Sequence, residues 1–246
     1  MALEESGFEI RQFPGRAFLM QAFRQWTANI FDYMEVHSTR SMTACHDAPY
    51  AYNERVNVSL LAAAFWRSGG VAIQDYAGAR RGKKRAEIDL FASGFGAKSD
   101  LNFEAKMAWP TLREKKTRRW TIAKRKLDSA TNDAKKITGV EGSRIGLAII
   151  CPRVFIPKNS QVRSRSKLVE EFCESILEFV RDRSEIECDA VAWAFPKRGR
   201  RFWAWDKKER HFFPGVILLM RRVWQRIVFY KSGLLANRGT RVVGIC

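Results

Sequence analysis

The sequence predicts an α/β fold, a mixed β-sheet sandwiched by helices. Three observations carry this: apolar residues stepping by three and four in several long segments, short β-branched or aromatic runs between them, and the order in which the two kinds alternate after residue 50. An apolar fraction of 46% over 246 residues is enough for one sizeable core. No repeat at a solenoid period and no long Pro- or Gly-rich linker divides the chain. We therefore expect a helical N-terminal extension, about 1–50, followed by one domain, 51–246.

In the extension, GRAFLMQAFRQWTANIFDYME carries Phe18, Phe23, Trp26, Ile30 and Tyr33 as an apolar stripe at helical spacing. It suits packing on the core or on a partner, so it is also a candidate element for a homodimer or larger complex. A second helix is expected from the N-cap Asn53 to Gly69 and Gly70, which suit left-handed C-terminal positions. Its Glu54 shares a face with Val58, Leu61 and Phe65, an awkward place for a lone charge. VAIQDY (71–76), AEIDLFA (86–92) and LNFEAKMA (101–108) read as three strands, the last two joined by the Gly-rich turn SGFGAKSD. A long helix from about Thr111 to Ile137 follows. RIGLAIICP (144–152) and CDAVAWAF (188–195) are buried strands around an amphipathic helix over 167–182. RFWAWD and FFPGVILLMRRV extend the sheet, with Pro214 pointing to an edge position or a bulge.

Composition narrows the function. Lys and Arg number 44 against 26 Asp and Glu, a net charge of +18, so polyanions are the natural partners and nucleic acid the first among them. The longest apolar run, SLLAAAFW, is far shorter than the roughly 20 residues of a spanning helix, so no membrane role is expected. The opening MALEESGFEIRQF lacks the bases and apolar core of a signal peptide, which predicts a cytoplasmic or nucleoid location. Five unpatterned cysteines and three histidines argue for reduced core thiols and against structural zinc.

The stretch AEIDLFASGFGAKSDLNFEAKM places charged residues inside apolar strands. A hairpin closing symmetrically about its turn pairs residues that sum to 193, setting Asp89 opposite Glu104 and Glu87 opposite Lys106. Glu104 and Lys106 share a face, roughly 6.5 Å apart along the strand. Acids so close need a positive charge between them, either Lys106 or a hard dication such as Mg²⁺. Glu87 reads as a solvent-facing acid or a salt-bridge partner of Lys106. A Glu-x-Lys tripeptide by itself arises by chance about once in a chain of this length. Glu114-Lys-Lys116 and Asp133-Ala-Lys135 match it on a helix, where i and i+2 point apart, and Asp206-Lys-Lys208, with Asp189 upstream, matches it in a hydrophilic run.

Asp89, the hairpin, Glu104-Ala-Lys106 and the helical Glu54 together resemble the PD-(D/E)xK phosphodiesterase superfamily, the restriction-endonuclease-like nucleases. The resemblance covers roughly residues 50–195, with Ile88 where the motif often has Pro. It implies a restriction-endonuclease-like core and metal-dependent phosphodiester hydrolysis. Mg²⁺, with Mn²⁺ as a substitute, would be held by Asp89, Glu104 and the Ala105 carbonyl with Glu54 as an auxiliary acid, and Lys106 would assist the attacking water. It also implies use in phage defence, restriction or repair, with DNA favoured over RNA. The alternative is a nuclease-like binding subunit without turnover. Basic runs flank the motif, and Arg80, Arg81, Lys83, Lys84, Arg85, Lys115, Lys116, Arg118, Arg119 and Lys124 are the expected phosphate contacts. Trp203 and Trp205, interleaved with arginines, are candidate base-stacking residues.

Overall fold

The computed structural model describes residues 6–40, 48–80, 83–94, 100–111, 114–157, 186–196, 203–205 and 209–224, with Lys167, Glu171, Glu174, Ser175 and Glu178 on a further helix.

The expected order of helix, three strands, helix and strand is present. Helix α2 (Glu54–Arg67) begins where the Asn53 side chain accepts a hydrogen bond from the Val56 N–H at 2.9 Å. It ends before Gly69, whose φ of +78° is the left-handed conformation that an L side chain resists. Strands β2 (Gly70–Arg80), β3 (Lys83–Gly94) and β4 (Leu101–Ala108) then form an antiparallel meander. Helix α3 (Lys116–Ala134) crosses over to β6 (Ser143–Ile150), which lies parallel to β4 over its whole length. The helix is shorter than its apolar spacing suggests. Thr111 bridges Arg153, its N–H bonds the Glu114 carboxylate at 2.7 Å, and Ile137 starts the two-residue strand β5 (Ile137–Thr138).

The main sheet has eight strands in the order β1-β8-β11-β6-β4-β3-β2-β5, where β1 is Ser6–Ile10, β8 Ala190–Ala194 and β11 Val216–Arg222. All neighbours run antiparallel except β4 and β6. Helices α1 (Arg16–Arg40) and α2 cover one face with Phe23, Trp26, Ile30, Leu61 and Phe65; α3 covers the other with Trp120, Ala123 and Leu127.

Three sequence expectations need correction. FFPGVILLMRRV does not sit at an edge: β11 lies between β6 and β8, and Pro214 falls in the link before it, where no ladder hydrogen bond is lost. RFWAWD does not extend the main sheet, since β9 (Trp203–Trp205) joins β10 (Glu209–Phe212) and β7 (Val154–Pro157) in a separate three-stranded sheet. The first residues contribute a strand, β1, as well as a helix. The α1 stripe meets the chain's own core, with Phe23, Trp26 and Ile30 fully buried, so a second copy would not meet those side chains. No helix among the described residues is long and apolar enough to cross a membrane. Cys151 and Cys188 are buried and form no disulfide among the described residues; Cys45, Cys173 and Cys246 lie outside the described residues.

Candidate active site at an opened strand seam

The hairpin closes in the expected register, with Leu90 opposite Phe103, Phe91 opposite Asn102 and Ala92 opposite Leu101, each pair summing to 193. The ladder then stops one pair short of Asp89 and Glu104. Instead of a backbone carbonyl, the Asp89 side chain takes the next edge amide, Oδ2 accepting from the Ala105 N–H at 2.6 Å. One step further, Glu54 in the first turn of α2 lies near the Met107 N–H, which favours its ionised form. Asp89 thus stands in for a strand at the β4 edge, with Glu54 close by. A buried edge amide left without an acceptor would cost about 1–3 kcal/mol, so the Asp89 carboxylate has a structural use at this edge.

A distortion of β2 and β3 allows this. Gln74 pairs with Leu90 and Tyr76 with Ile88, but between them Asp75 has a φ of +47°, opposite Asp89. Positive φ strains a side chain-bearing residue, and Asp tolerates it better than most. Strand alternation breaks there: Leu90 packs in the α1/α2 cluster, whereas Ile88 packs with Ala134 at the end of α3 and Ile137 of β5. The seam between β3 and β4 opens at that kink. Glu87, expected opposite Lys106, pairs across to Ala77 of β2 instead and is exposed.

On β4, Phe103, Ala105 and Met107 face α1 and α2, so Glu104 and Lys106 project toward α3. Glu104 is fully buried and does not share the α2-side pocket that Asp89 lines, so the expected meeting of Asp89 and Glu104 across the ladder is not formed. Lys106 Nζ donates to the Ala105 carbonyl at 2.9 Å and meets Asp133 Oδ2 of α3 at 3.4 Å. Asp133 also holds Lys136 at 2.7 Å. Burial alone would raise the Asp133 carboxyl, but the Lys136 and Lys106 ammonium groups outweigh it and hold the acid below its ordinary range. Asp133 belongs to the Asp-Ala-Lys triplet that reads as a chance match on a helix; Lys106 finds it only because α3 docks over β4.

On the α2 side, four carboxylates, Glu54, Asp75, Glu87 and Asp89, line a pocket of about 210 Å³ beside Arg55. Arg55 pairs with Asp75 at 3.3 Å. Burial pushes the Glu54 carboxyl up; the Lys106 charge opposes this, the Asp89 charge adds to it, and the Met107 N–H pulls back. Among the described residues no three His, Cys, Asp or Glu side chains are already drawn together as a metal site. The donors nonetheless suit a hard dication in kind, being all oxygen: Asp89, Glu54 and the Ala105 carbonyl, whose N–H and C=O share the open edge of β4. The upward push on Glu54 from Asp89 is the imbalance that a cation would relieve.

The expected phosphate contacts are spread over two elements. Arg80 and Lys83 pair at the tip of the β2–β3 hairpin, and Lys84 and Arg85 follow in β3; their side chains, and Arg81, lie outside the described residues. Lys115, Arg118 and Lys124 are exposed on or before α3, and Lys116 opens that helix. Arg119 differs, being 8% exposed with its guanidinium 3.5 Å from Ser175 Oγ. It anchors a neighbouring helix instead of facing solvent. The rival triplet at Asp206 lies outside the described residues, while Asp189 accepts from the Arg222 N–H at 2.6 Å. Trp203 and Trp205 lie in β9 with side chains outside the described set.

Compared with protein-family models, with curated proteins and with solved structures, the chain matches none. Its chemistry is therefore read from the seam itself.

Proposed function

We propose that the chain is a metal-dependent nuclease with a restriction-endonuclease-like core, hydrolysing phosphodiester bonds of nucleic acid, DNA in preference to RNA. The observation that carries the reading is the opened seam. There Asp89, Glu54 and the Ala105 carbonyl reach the same strand edge, with the Lys106 ammonium on that carbonyl. Helix α2, the meander β2–β3–β4, helix α3 and the parallel β6 support it, because they follow the order that the Asp89, Glu104-Ala-Lys106 motif implies.

Mg²⁺ or Mn²⁺, when bound by Asp89, Glu54 and the Ala105 carbonyl, with the buried Glu104 behind them on the α3 side of β4, would activate water and neutralise phosphate charge. Lys106 holds the attacking water, or stabilises charge on the phosphorane oxygens, from its place between Ala105 and Asp133. Asp89 keeps the β4 edge in position while presenting its second oxygen. Restriction, phage defence or repair is the setting in which such a reaction would be used.

The test is cleavage of linear, circular, nicked and single-stranded substrates with and without metal. Hydrolysis should need Mg²⁺ or Mn²⁺, stop with EDTA, and fall by at least about a hundredfold in Glu104→Ala and Lys106→Ala. Equal hydrolysis by both variants in clean preparations would remove the assignment. A second reading, a binding subunit without turnover, is favoured by the engagement of Lys106 with Asp133, which ties up the ammonium that catalysis would use. Salt-sensitive binding without metal-stimulated cleavage selects it.

A further inference from the structure

Two exposed aromatic side chains flank the seam. Tyr52 is 56% exposed and stands two residues before Glu54; Trp109 is 37% exposed and stands two residues after Met107. Glu54 lies near enough to Met107 for its carboxyl to feel that residue's N–H, which brings these two chain positions together. A second tie holds them there: Asn57 Nδ2 donates to the Tyr50 carbonyl at 3.0 Å and to Met107 Sδ at 3.7 Å, fastening the turn before α2 to the end of β4. Two residues of extended chain span at most about 7 Å, so each aromatic residue has its backbone within that reach of the Glu54–Met107 contact.

Large exposed aromatics are costly to leave against water, and here the surrounding charge says what covers them. Arg55, paired with Asp75 at 3.3 Å, is exposed beside Glu54, and Lys115 and Arg118, the latter 4.0 Å from Glu114, are exposed shortly after Trp109. With a net charge of +18, the combination of cationic groups and flat apolar rings fits a strand whose phosphates and unstacked bases are both reachable. A regular duplex keeps its bases stacked and offers such rings nothing. We propose that Tyr52 and Trp109 form a stacking platform for unpaired bases, so that the substrate is single-stranded nucleic acid or the unpaired part of a branched or frayed one. The proposal rests on the nuclease reading only for the cleavage step, not for binding.

The test is fluorescence anisotropy of the full chain with a labelled oligothymidylate and with a duplex, in EDTA so that no cleavage intervenes. Stacking contributes about 1–3 kcal/mol per base, so Tyr52→Ala and Trp109→Ala should each weaken single-strand binding by about 5- to 150-fold and leave duplex binding unchanged. Tyr52→Phe and Trp109→Phe keep a ring and should restore most of the affinity. Alanine variants that bind the single strand like the parent, or that lose single strand and duplex equally, overturn the platform. If the platform is confirmed and every substrate stays uncut with metal present, the nuclease reading alone fails; if metal-dependent cleavage persists with both rings dispensable for binding, only the platform does.

Discussion

Asp89 accepts from the Ala105 N–H and, in the proposed reading, also holds the metal; its variants separate the two roles. Asn at this position can still accept from the Ala105 N–H, whereas Ala leaves that amide without its acceptor. Asp89→Asn should therefore change the urea midpoint little while abolishing metal-dependent hydrolysis; Asp89→Ala should lose about 1–3 kcal/mol of stability as well. Glu54 and Asp133 make a pH test because their shifts are opposite. The Glu54 pKa is raised in the fold, so the native state binds that proton more tightly than the unfolded chain does. Ionisation then opposes folding, with no penalty well below pH 4.5 and a growing one as pH rises through the folded value. Asp133 is the reverse: its contribution is present above pH 3.8 and lost as pH falls through the depressed value. Urea titrations across pH should show Glu54→Gln gaining on the parent toward neutral pH and Asp133→Asn losing there, with both differences vanishing in acid. Parallel curves at all pH values would contradict the assigned causes.

Helix α3 places Asp133 on Lys106, and Gly146 decides how closely that helix approaches. A Cβ at Gly146 would stand 2.4 Å from the Thr131 backbone nitrogen, and Gly146 is in register with Glu104 on the neighbouring strand. Gly146→Ala must push α3 off the sheet at that point. It should cost about 1–3 kcal/mol and lower hydrolysis more than its stability loss explains, because Asp133 moves with the helix. The elements themselves were readable because each has a local cause: Asn53 caps α2, Gly69 ends it, and the hairpin register follows from the turn length. The kink at Asp75 was not readable. Nothing in VAIQDY marks the positive φ that Asp75 adopts opposite Asp89.

For the molecule as a whole, charge and shape act over longer distances than any hydrogen bond. A net charge of +18 should make nucleic-acid binding fall steeply with salt, in proportion to the phosphates neutralised. Log–log plots of affinity against salt should be linear, and replacing Lys115 or Lys124 by Ala should lower the slope by about one unit while leaving sequence preference unchanged. The Arg119 variant should behave differently, affecting stability more than slope, because that guanidinium is turned inward.

Periodicity and spacing were sufficient for the mixed α/β architecture and the hairpin register, since each depends on residues near one another along the chain. The β4 edge left open for Asp89 and Glu54, the Asp133 partner of Lys106, and the central place of β11 depended on strands and helices far apart in sequence. Those contacts arise only when twisting strands diverge and a crossover helix settles over them, which no local pattern of residues encodes.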